Sequence, residues 1–315
     1  MKRTRILPFL LLLPLLSGCK DEFKEPKFKK LGDKIEYSAF KEALDNLYKE
    51  NVFLKSEENY YRPSYKGESV KETYKTSTQK RLKDTLYEGK SYSKTTINLQ
   101  GDAKNLVSKR VQEHKATSEE HDSTCSSTSA STSKATYYDQ PYSQFGSNYF
   151  VTACLESETF LFDLEENKET ENRSMKDMYE AGFSAATATM SSLFTTYMTM
   201  YNASTDEKKA EFSFYKNKDV ISTEYNHTDV NEKDGYAIEN NENTKFQIDL
   251  SNKDKIEFTY YKEVKTKETI KQSKGSDIAG DVTETTNKSL ATVNIQKKNV
   301  NLKSTNVDKF TKYEY

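Results

Sequence analysis

What the sequence lacks limits the chemistry that it can perform. It contains no phosphate-binding glycine-rich loop, no nucleophile elbow of the form GxSxG and no HExxH zinc motif. Only three histidines are present, and neither His114 nor His121 has a spacing to Cys125 that matches a recognised zinc site. We therefore expect a protein that is not an enzyme and that holds no metal and no cofactor.

An excess of basic residues is also missing. Lysine and arginine together number 48, against 49 aspartates and glutamates, and the formal net charge is −1. Proteins that bind nucleic acid carry a basic surface. We therefore expect no nucleic-acid partner.

The sequence has no strongly apolar run of membrane-spanning length, but a shorter one follows its basic N-terminal residues. Residues 6–16 are apolar, and Lys2, Arg3 and Arg5 precede them. A membrane-spanning helix needs about 20 residues, whereas a secretory signal has a short apolar core after a basic head. The pattern predicts an export signal, and a buried N-terminal helix is the alternative.

The end of this run, Leu16-Ser17-Gly18-Cys19, resembles the lipobox of bacterial lipoproteins. In that family a peptidase cuts before the cysteine, which then carries a diacylglycerol thioether. The resemblance implies that residues 1–18 are a signal peptide. It also implies that Cys19 anchors the protein to the extracytoplasmic face of the bacterial cell membrane, because two acyl chains together hold a protein stably at a bilayer. An ordinary secretory signal with an accidental cysteine is the alternative.

Residues 19–34 are predicted to be a flexible, polar tether. They alternate in charge around Pro26 and end near Gly32, and a flexible segment of this length has a root-mean-square reach of about 20 Å. Removal of residues 1–18 takes away Lys2, Arg3 and Arg5, which lowers the formal net charge to −4.

Two cysteines remain beyond the lipobox. An exported protein can form a disulfide, so Cys125 and Cys154 are a candidate pair, although sequence alone does not tell whether they come within bridging distance. Cys125 lies in residues 116–136, which lack any large apolar side chain. We expect this segment to be a disordered Ser/Thr-rich loop, because it cannot bury enough apolar surface to become ordered.

Residues 35–315 are predicted to form a single domain of helices and antiparallel strands. A short amphipathic helix begins near Tyr37, with Ser38 as its N-cap and an apolar face formed by Phe40, Ala43, Leu44 and Leu47. Alternating segments elsewhere predict strands with one apolar face. The clearest pair runs through Phe246, Ile248 and Leu250, turns at 251–254, and returns through Ile256, Phe258 and Tyr260.

The segment from Ala181 to Thr205 has no charged residue in a chain that is 31% charged. Bulky residues recur every three to four positions in it, which predicts a long helix over about Met175 to Asn202. The members of this bulky stripe that we expect to line a ligand cavity are Phe183, Met190, Phe194, Tyr197 and Tyr201. Its opposite face is small and uncharged, so we expect that face to be buried as well, because an ordinary surface helix would carry lysine and glutamate there.

These elements predict an α+β fold. A curved, half-barrel-like antiparallel sheet would be covered by the long central helix, with the short N-terminal helix beside it. At the level of architecture only, this arrangement resembles the half-barrel lipoproteins of the lipoprotein-carrier type, whose sheet and helical lid enclose acyl chains. Fold alone does not give function.

Two functions of different classes follow. The first is a lipid-anchored protein that binds a lipid or another amphiphile in a cavity between sheet and helix. The second is a surface interaction protein or a structural protein of the cell envelope, in which the bulky stripe is solid core. An empty apolar cavity under the helix favours the first, and a packed interior favours the second.

Overall fold

The structure is a computed structural model that describes residues 23–50, 63–81, 84–105, 107–141, 149–154, 160–163 and 181–303. These residues form twelve strands and three helices. The strands before residue 181 are β1 (Asp33–Ile35), β2 (Tyr65–Arg81), β3 (Asp84–Asp102), β4 (Val107–Asp122), β5 (Ser126–Pro141), β6 (Tyr149–Cys154) and β7 (Phe160–Asp163). The later strands are β8 (Phe212–Asn217), β9 (Val220–Lys233), β10 (Tyr236–Asp249), β11 (Lys255–Ile270) and β12 (Val282–Lys297). The helices are α1 (Tyr37–Glu50), α2 (Ala181–Ala203) and α3 (Asp206–Lys209).

All twelve strands belong to one antiparallel sheet. Its order is β1-β8-β9-β10-β11-β12-β2-β3-β4-β5-β6-β7. The sheet therefore consists of two meanders, β2 to β7 and β8 to β12, which join side by side where β12 pairs with β2 from Val282↔Lys80 to Lys297↔Tyr65. The short strand β1 pairs with β8 and brings the N-terminal segment to one edge of the sheet.

Among the described residues, the hydrophobic core lies at one end of the strands, which we call the covered end. There α2 packs against β3, β4 and β12, and α1 packs against β8 and β9, all on one face of the sheet. We call this face the helix face. The largest fully buried side chains are Tyr65, Phe40, Phe246, Phe258, Leu99, Met190, Ile221, Ile248 and Ile256.

The opposite end of the strands, which we call the bare end, contains the hairpin turns of β4–β5, β9–β10 and β11–β12. Side chains here are mostly polar and exposed, and every residue from 121 to 134 is exposed. Successive residues of a strand point to opposite faces. The tip of the β4–β5 hairpin is therefore in solvent on both faces within the part of the chain that the structure describes.

The expected α+β fold class is wrong. Residues in strands far outnumber residues in helices, and one antiparallel sheet of twelve strands forms the framework. The helix α2 exists and packs against β3, β4 and β12, near the middle of the strand order, but it lies at the covered end of these strands. The fold class was predicted wrongly because the Thr- and Lys-rich strands contain few apolar residues, whereas the apolar periodicity of the helix is strong.

Several local predictions are confirmed. The helix α1 buries Phe40, Ala43, Leu44 and Leu47, although it begins at Tyr37, one residue before its predicted cap. The hairpin of β10 and β11 lies where it was predicted, and its register places Phe246 opposite Tyr260 and Ile248 opposite Phe258. The predicted start of the long helix near Met175 lies outside the described residues.

The segment 116–136, expected to be a disordered loop, is the outer part of the β4–β5 hairpin. Pairing runs without a break from Ser108↔Asp139 to His121↔Ser126, and β4 also pairs with β3 as far as Asp122. Main-chain hydrogen bonding to a neighbouring strand orders these residues, so that they need no apolar core of their own. Threonine, which is frequent here, also favours the extended conformation.

Residues 23–32, expected to belong to a flexible tether, lie across the sheet on the face opposite the helices. We call this segment the strap and this face the strap face. The strap contacts residues of β2, β10, β11 and β12, and the chain then enters β1 at the sheet edge and continues into α1 on the helix face. The composition of the strap did not reveal these contacts, because each partner lies far away in the sequence.

Candidate functional site

The bulky stripe of α2 lies in the core. Met190 is 1% exposed and Tyr197 is 3% exposed, and both belong to the main hydrophobic cluster. Phe194 and Tyr201 are half-buried and pack against the same cluster. The side chain of Phe183 lies outside the described residues.

Side chains of the sheet fill the space beside this stripe. The ring of Phe246 lies 5.6 Å from the Phe194 ring and 5.2 Å from the Tyr197 ring, both edge to face. The Tyr197 hydroxyl is 2.5 Å from the Thr223 hydroxyl, and burial raises the pKa of Tyr197. Four of the five predicted cavity residues are therefore placed together, and side chains of the sheet adjoin them.

The second face of α2 is exposed at three of its described positions. Ser192, Thr196 and Thr199 face solvent, whereas Thr189 is half-buried. The expectation that this uncharged face would be buried is corrected for Ser192, Thr196 and Thr199. Serine and threonine hydroxyls hydrogen-bond to water, so the absence of charge did not require burial.

The strap is held to the sheet by a polar cluster around Lys29. The main-chain N–H of Lys29 donates to Gln247 Oε1 at 2.8 Å, and Gln247 Nε2 donates back to the Lys29 carbonyl at 3.1 Å. Lys29 Nζ pairs with Asp249 and lies 3.1 Å from Glu257 Oε2. Burial disfavours the charged form of Asp249, but hydrogen bonds from Lys29 and Ser251 lower its pKa to about 2.

Aromatic and ionic contacts hold the first residues of the strap. The Phe23 ring stacks on Tyr74 with centroids 6.0 Å apart and contacts Tyr261 at 6.3 Å. Lys288 Nζ lies 2.6 Å from Glu25 and 3.3 Å from Glu263. The hydrogen bond from Lys288 lowers the pKa of Glu25. Side chains that were not predicted from the sequence thus fix the strap at both ends. The two phenylalanines in "FKEPKFKK" were the only sequence feature that indicated contact with the sheet.

A histidine cluster lies on the helix face where the core ends. His227 Nδ1 lies 2.8 and 2.9 Å from the two carboxylate oxygens of Glu211, and the Tyr225 ring stacks on the imidazole at 5.9 Å. Burial and the charges of Glu211 and Glu242 raise the pKa of Tyr225 to about 12. No described serine or cysteine hydrogen-bonds to His227. The cluster therefore joins the start of β8 to β9, and its described part offers no nucleophile.

The predicted disulfide partners lie far apart along the β5 strand. Cys125 is a free, exposed cysteine in the turn of the β4–β5 hairpin, whereas Cys154 lies opposite Tyr137 at the other end of β5. Twelve residues of strand separate these positions, which corresponds to about 40 Å. The structure does not bring the two cysteines together, and Cys19 lies outside the described residues.

The turn that carries Cys125 is organised by an aspartate. Asp122 accepts hydrogen bonds from the main-chain N–H groups of Thr124 and Cys125 at 2.7 and 2.6 Å. These bonds lower the pKa of Asp122 to about 2. Aspartate commonly closes turns in this way, so the ordered tip is explained by a residue within the Ser/Thr-rich segment itself.

Two polar clefts lie at the covered end, away from the α2 stripe. A cleft of 380 Å³ is lined by Lys66, Gly67, Glu68, Asn98, Lys255, Asn294, Gln296 and Lys298. A cleft of 550 Å³ lies beside the C-terminal segment and is lined by Ser64, Asp102, Lys104, Asn105, Asn299, Val300 and Asn301. Neither has the mainly apolar lining that is typical of a lipid site.

Asp102 joins the C-terminal segment to the β3–β4 turn. It is buried, and it accepts hydrogen bonds from the Leu302 and Lys104 main-chain N–H groups at 3.1 and 3.0 Å and from Asn105 Nδ2 at 2.7 Å. Burial opposes ionisation, but these hydrogen bonds lower the pKa of Asp102. These three hydrogen bonds give this carboxylate a structural role.

Within the described ranges, no group of three or more His, Cys, Asp or Glu side chains is arranged to hold a metal ion. None of the described helices combines the length and the apolar character needed to cross a membrane. The candidate functional features are therefore surfaces: the strap face and the bare end.

Comparison with known proteins adds little to this description. No protein-family model and no curated relative matches the sequence. Among solved structures, Pseudomonas aeruginosa OccK7 (OpdD) is 7% identical, with 73% of this chain and 98% of that chain covered and a TM-score of 0.24. The outer membrane protease OmpT from Escherichia coli is 7% identical, with 76% and 97% covered and a TM-score of 0.20. These scores are too low to establish a shared fold, and we draw no functional argument from them.

Proposed function

We propose that this chain is a non-enzymatic bacterial lipoprotein, anchored through Cys19 on the extracytoplasmic face of the cell membrane, that presents the bare end of its sheet to a macromolecular partner. The order of basic head, apolar core, LSGC and polar sequel supports the anchor. Solvent on both faces of the β4–β5 hairpin tip, which belongs to the bare end, supports the interaction role, and it is the observation that carries the proposal.

The packing around α2 favours this function over amphiphile binding. Met190 and Tyr197 are buried against Phe246 and other side chains of the sheet. A lipid at this position would need to displace these contacts. The stripe therefore serves as the core that supports the sheet.

The outer edge of β5 is the part of the bare end best suited to a partner. Among described residues, β6 pairs with β5 only from Tyr137 to Pro141, so that residues 126–136 have a strand neighbour on one side alone. Open edges bind extended peptides by adding a strand. Proteins commonly protect such edges with charges or proline, and here Lys134 is the only charged residue.

A photo-cross-linking residue placed at Ser131 tests the interaction role in intact cells. Ser131 is exposed and lies within the open part of the β5 edge, and the same probe at the exposed Thr199 of α2 is the matched control. We expect a defined cross-linked product from position 131 and none from position 199. Equal products from both positions, or none from either, would contradict the proposed surface.

Two further measurements test the attachment through Cys19 and the binding of a lipid ligand separately. Cys19→Ala should leave an unprocessed or soluble form, and membrane attachment of that variant would contradict the lipobox assignment. Native mass spectrometry of the protein purified from its own envelope should show no bound lipid beyond the covalent anchor. A bound lipid that is lost in a folded Met190→Asp variant would instead support the cavity function.

A further inference from the structure

The strap is a basic segment on an acidic protein. Residues 23–32 contain Lys24, Lys27, Lys29 and Lys30 against a single acidic residue, Glu25, which gives them a formal charge of +3. Residues 19–315 as a whole have a formal charge of −4. The strap therefore concentrates positive charge on one face of a chain that is negative overall.

Three of the four strap lysines are not used to hold the strap in place. Lys24, Lys27 and Lys30 are exposed, and none of them makes an ion pair with a described residue. The acidic side chains in and beneath the strap already pair with other lysines. Lys29 and Lys255 pair with Asp249 and Glu257, and Lys288 and Lys265 pair with Glu25 and Glu263. The charge of the three exposed lysines is thus available to an external anion.

The strap also begins close to the predicted acylation site. Phe23 is the first described residue and stacks on Tyr74 of the strap face. Four residues of extended chain from Cys19 to Phe23 span at most about 14 Å. A domain anchored at Cys19 therefore has Phe23, and with it the part of the strap face around Tyr74, within about this distance of the anchor unless the strap detaches.

We propose that the strap is a second membrane contact, in which Lys24, Lys27 and Lys30 bind anionic phospholipid headgroups and turn the strap face toward the bilayer. This inference rests on the proposed acylation of Cys19. Basic residues next to a membrane anchor strengthen binding to anionic lipid. For three lysines, the membrane partition coefficient rises about a hundredfold at low salt, and the gain is reduced at high ionic strength because salt screens the attraction.

The absence of tryptophan from the chain allows a direct test of this orientation. Thr76→Trp places a single fluorophore on the strap face, two residues beyond Tyr74, and Lys75→Trp places one on the helix face of the same strand. Each lipidated, full-length mature protein is incorporated into vesicles of phosphatidylcholine and phosphatidylglycerol that carry a spin label on the lipid headgroup. We expect strong quenching at position 76 and at least threefold weaker quenching at position 75.

Charge variants identify the residues responsible. Replacing Lys24, Lys27 and Lys30 with glutamine in the Thr76→Trp protein should remove most of the difference between the two positions. The control replaces Lys41, Lys71 and Lys75, three exposed lysines of α1 and of the helix face of β2, and should leave the quenching unchanged. Vesicles of phosphatidylcholine alone should give the same weak quenching as the strap variant.

The outcomes distinguish this inference from the function on which it rests. Equal quenching at positions 75 and 76, in proteins that still float with the vesicles, would overturn the orientation and leave the anchor intact. An equal effect of the two lysine triplets would overturn the role of the strap. Failure of the parent protein to float with vesicles would overturn the anchor and this inference together.

Discussion

The strands β10 and β11 run through both ends of the sheet, and their two halves are held in different ways. At the covered end, Phe246, Ile248 and Phe258 are almost fully buried under the helices. At the bare end of the same strands, Glu239 and Lys267 lie opposite each other and both are exposed. The register continues unchanged from one half to the other.

This difference teaches that the order of the bare end depends on the covered end. An exposed main-chain hydrogen bond replaces one with water and contributes little net stability, whereas each large side chain buried in the core contributes about 1.5–3 kcal/mol. The packed end therefore fixes register and twist, and pairing transmits both along the strands. The four predictions below test this division of roles.

The largest effect is expected from the core. Phe246→Ala should lower the free energy of unfolding by about 3–5 kcal/mol, because it removes a buried ring that contacts Phe40, Phe194, Tyr197 and Phe258. Urea denaturation monitored by circular dichroism measures this loss. Thr128→Ala at the bare end is the control and should change stability by less than about 0.5 kcal/mol. Similar losses of unfolding free energy in the two variants would contradict the dependence of the bare end on the covered end.

A smaller effect is expected from the strap under acid. The pKa of Asp249, about 2, lies below its ordinary value of 3.8. The pairing with Lys29 therefore stabilises the strap fully above pH 3.8, and this contribution is lost as the pH falls through about 2. The rate at which pepsin cleaves the chain at Phe28 should therefore rise as the pH falls from 3.8 to about 2. This rate is corrected for the activity of pepsin on a free peptide at each pH.

Asp249→Asn provides the comparison for the acid experiment. The amide at this position carries no charge at any pH, so cleavage at Phe28 in this variant should rise less over the same range than in the parent protein, and the remaining rise reports the pairs of Glu25 and Glu257. Lys29→Met should make the strap more accessible already at neutral pH, with a loss of about 1 kcal/mol, since Lys29 is half exposed and solvent screens the pair. A strap that stays protected at low pH in the parent protein would contradict this assignment.

Removal of the hairpin tip should have a still smaller effect. Replacing residues 118–129 with Asn-Gly joins Thr117 to Ala130, which are opposite each other in the β4–β5 ladder, through a favoured two-residue turn. The unfolding free energy should change by less than about 1 kcal/mol, because the removed residues bury no large side chain. Unfolding of the covered end in this variant would show that the tip supports the core.

Labelling of Cys125 should have almost no effect on stability. Its thiol is free and exposed in the hairpin turn, so iodoacetamide should modify it completely in the folded protein. The free energy of unfolding should then change by less than about 0.5 kcal/mol. Resistance of Cys125 to the reagent under native, non-reducing conditions would indicate a contact that the described residues do not provide.

Sequence reasoning found the elements that bury side chains and missed those held by main-chain pairing. The apolar face of α1 and the β10–β11 hairpin have strong periodicity and were predicted from it. The β4–β5 tip has no such pattern, because its order comes from the ladder with β3. Phe23 and Lys29 were assigned to a tether, since their partners Tyr74, Gln247 and Asp249 lie far away in the chain and only the folded sheet brings them near.

The orientation of the strap determines how the domain would respond to a pulling force. A load applied between Cys19 and the sheet reaches Phe23 first, then Glu25, then Lys29, and only afterwards the ladder between β1 and β8. These contacts lie one after another along the line of force and would break in turn, as in peeling. Release of the strap would lengthen the chain between Cys19 and the sheet by about 35 Å while the core stays folded. The strap would therefore act as a reversible, extensible link between the anchor and the sheet.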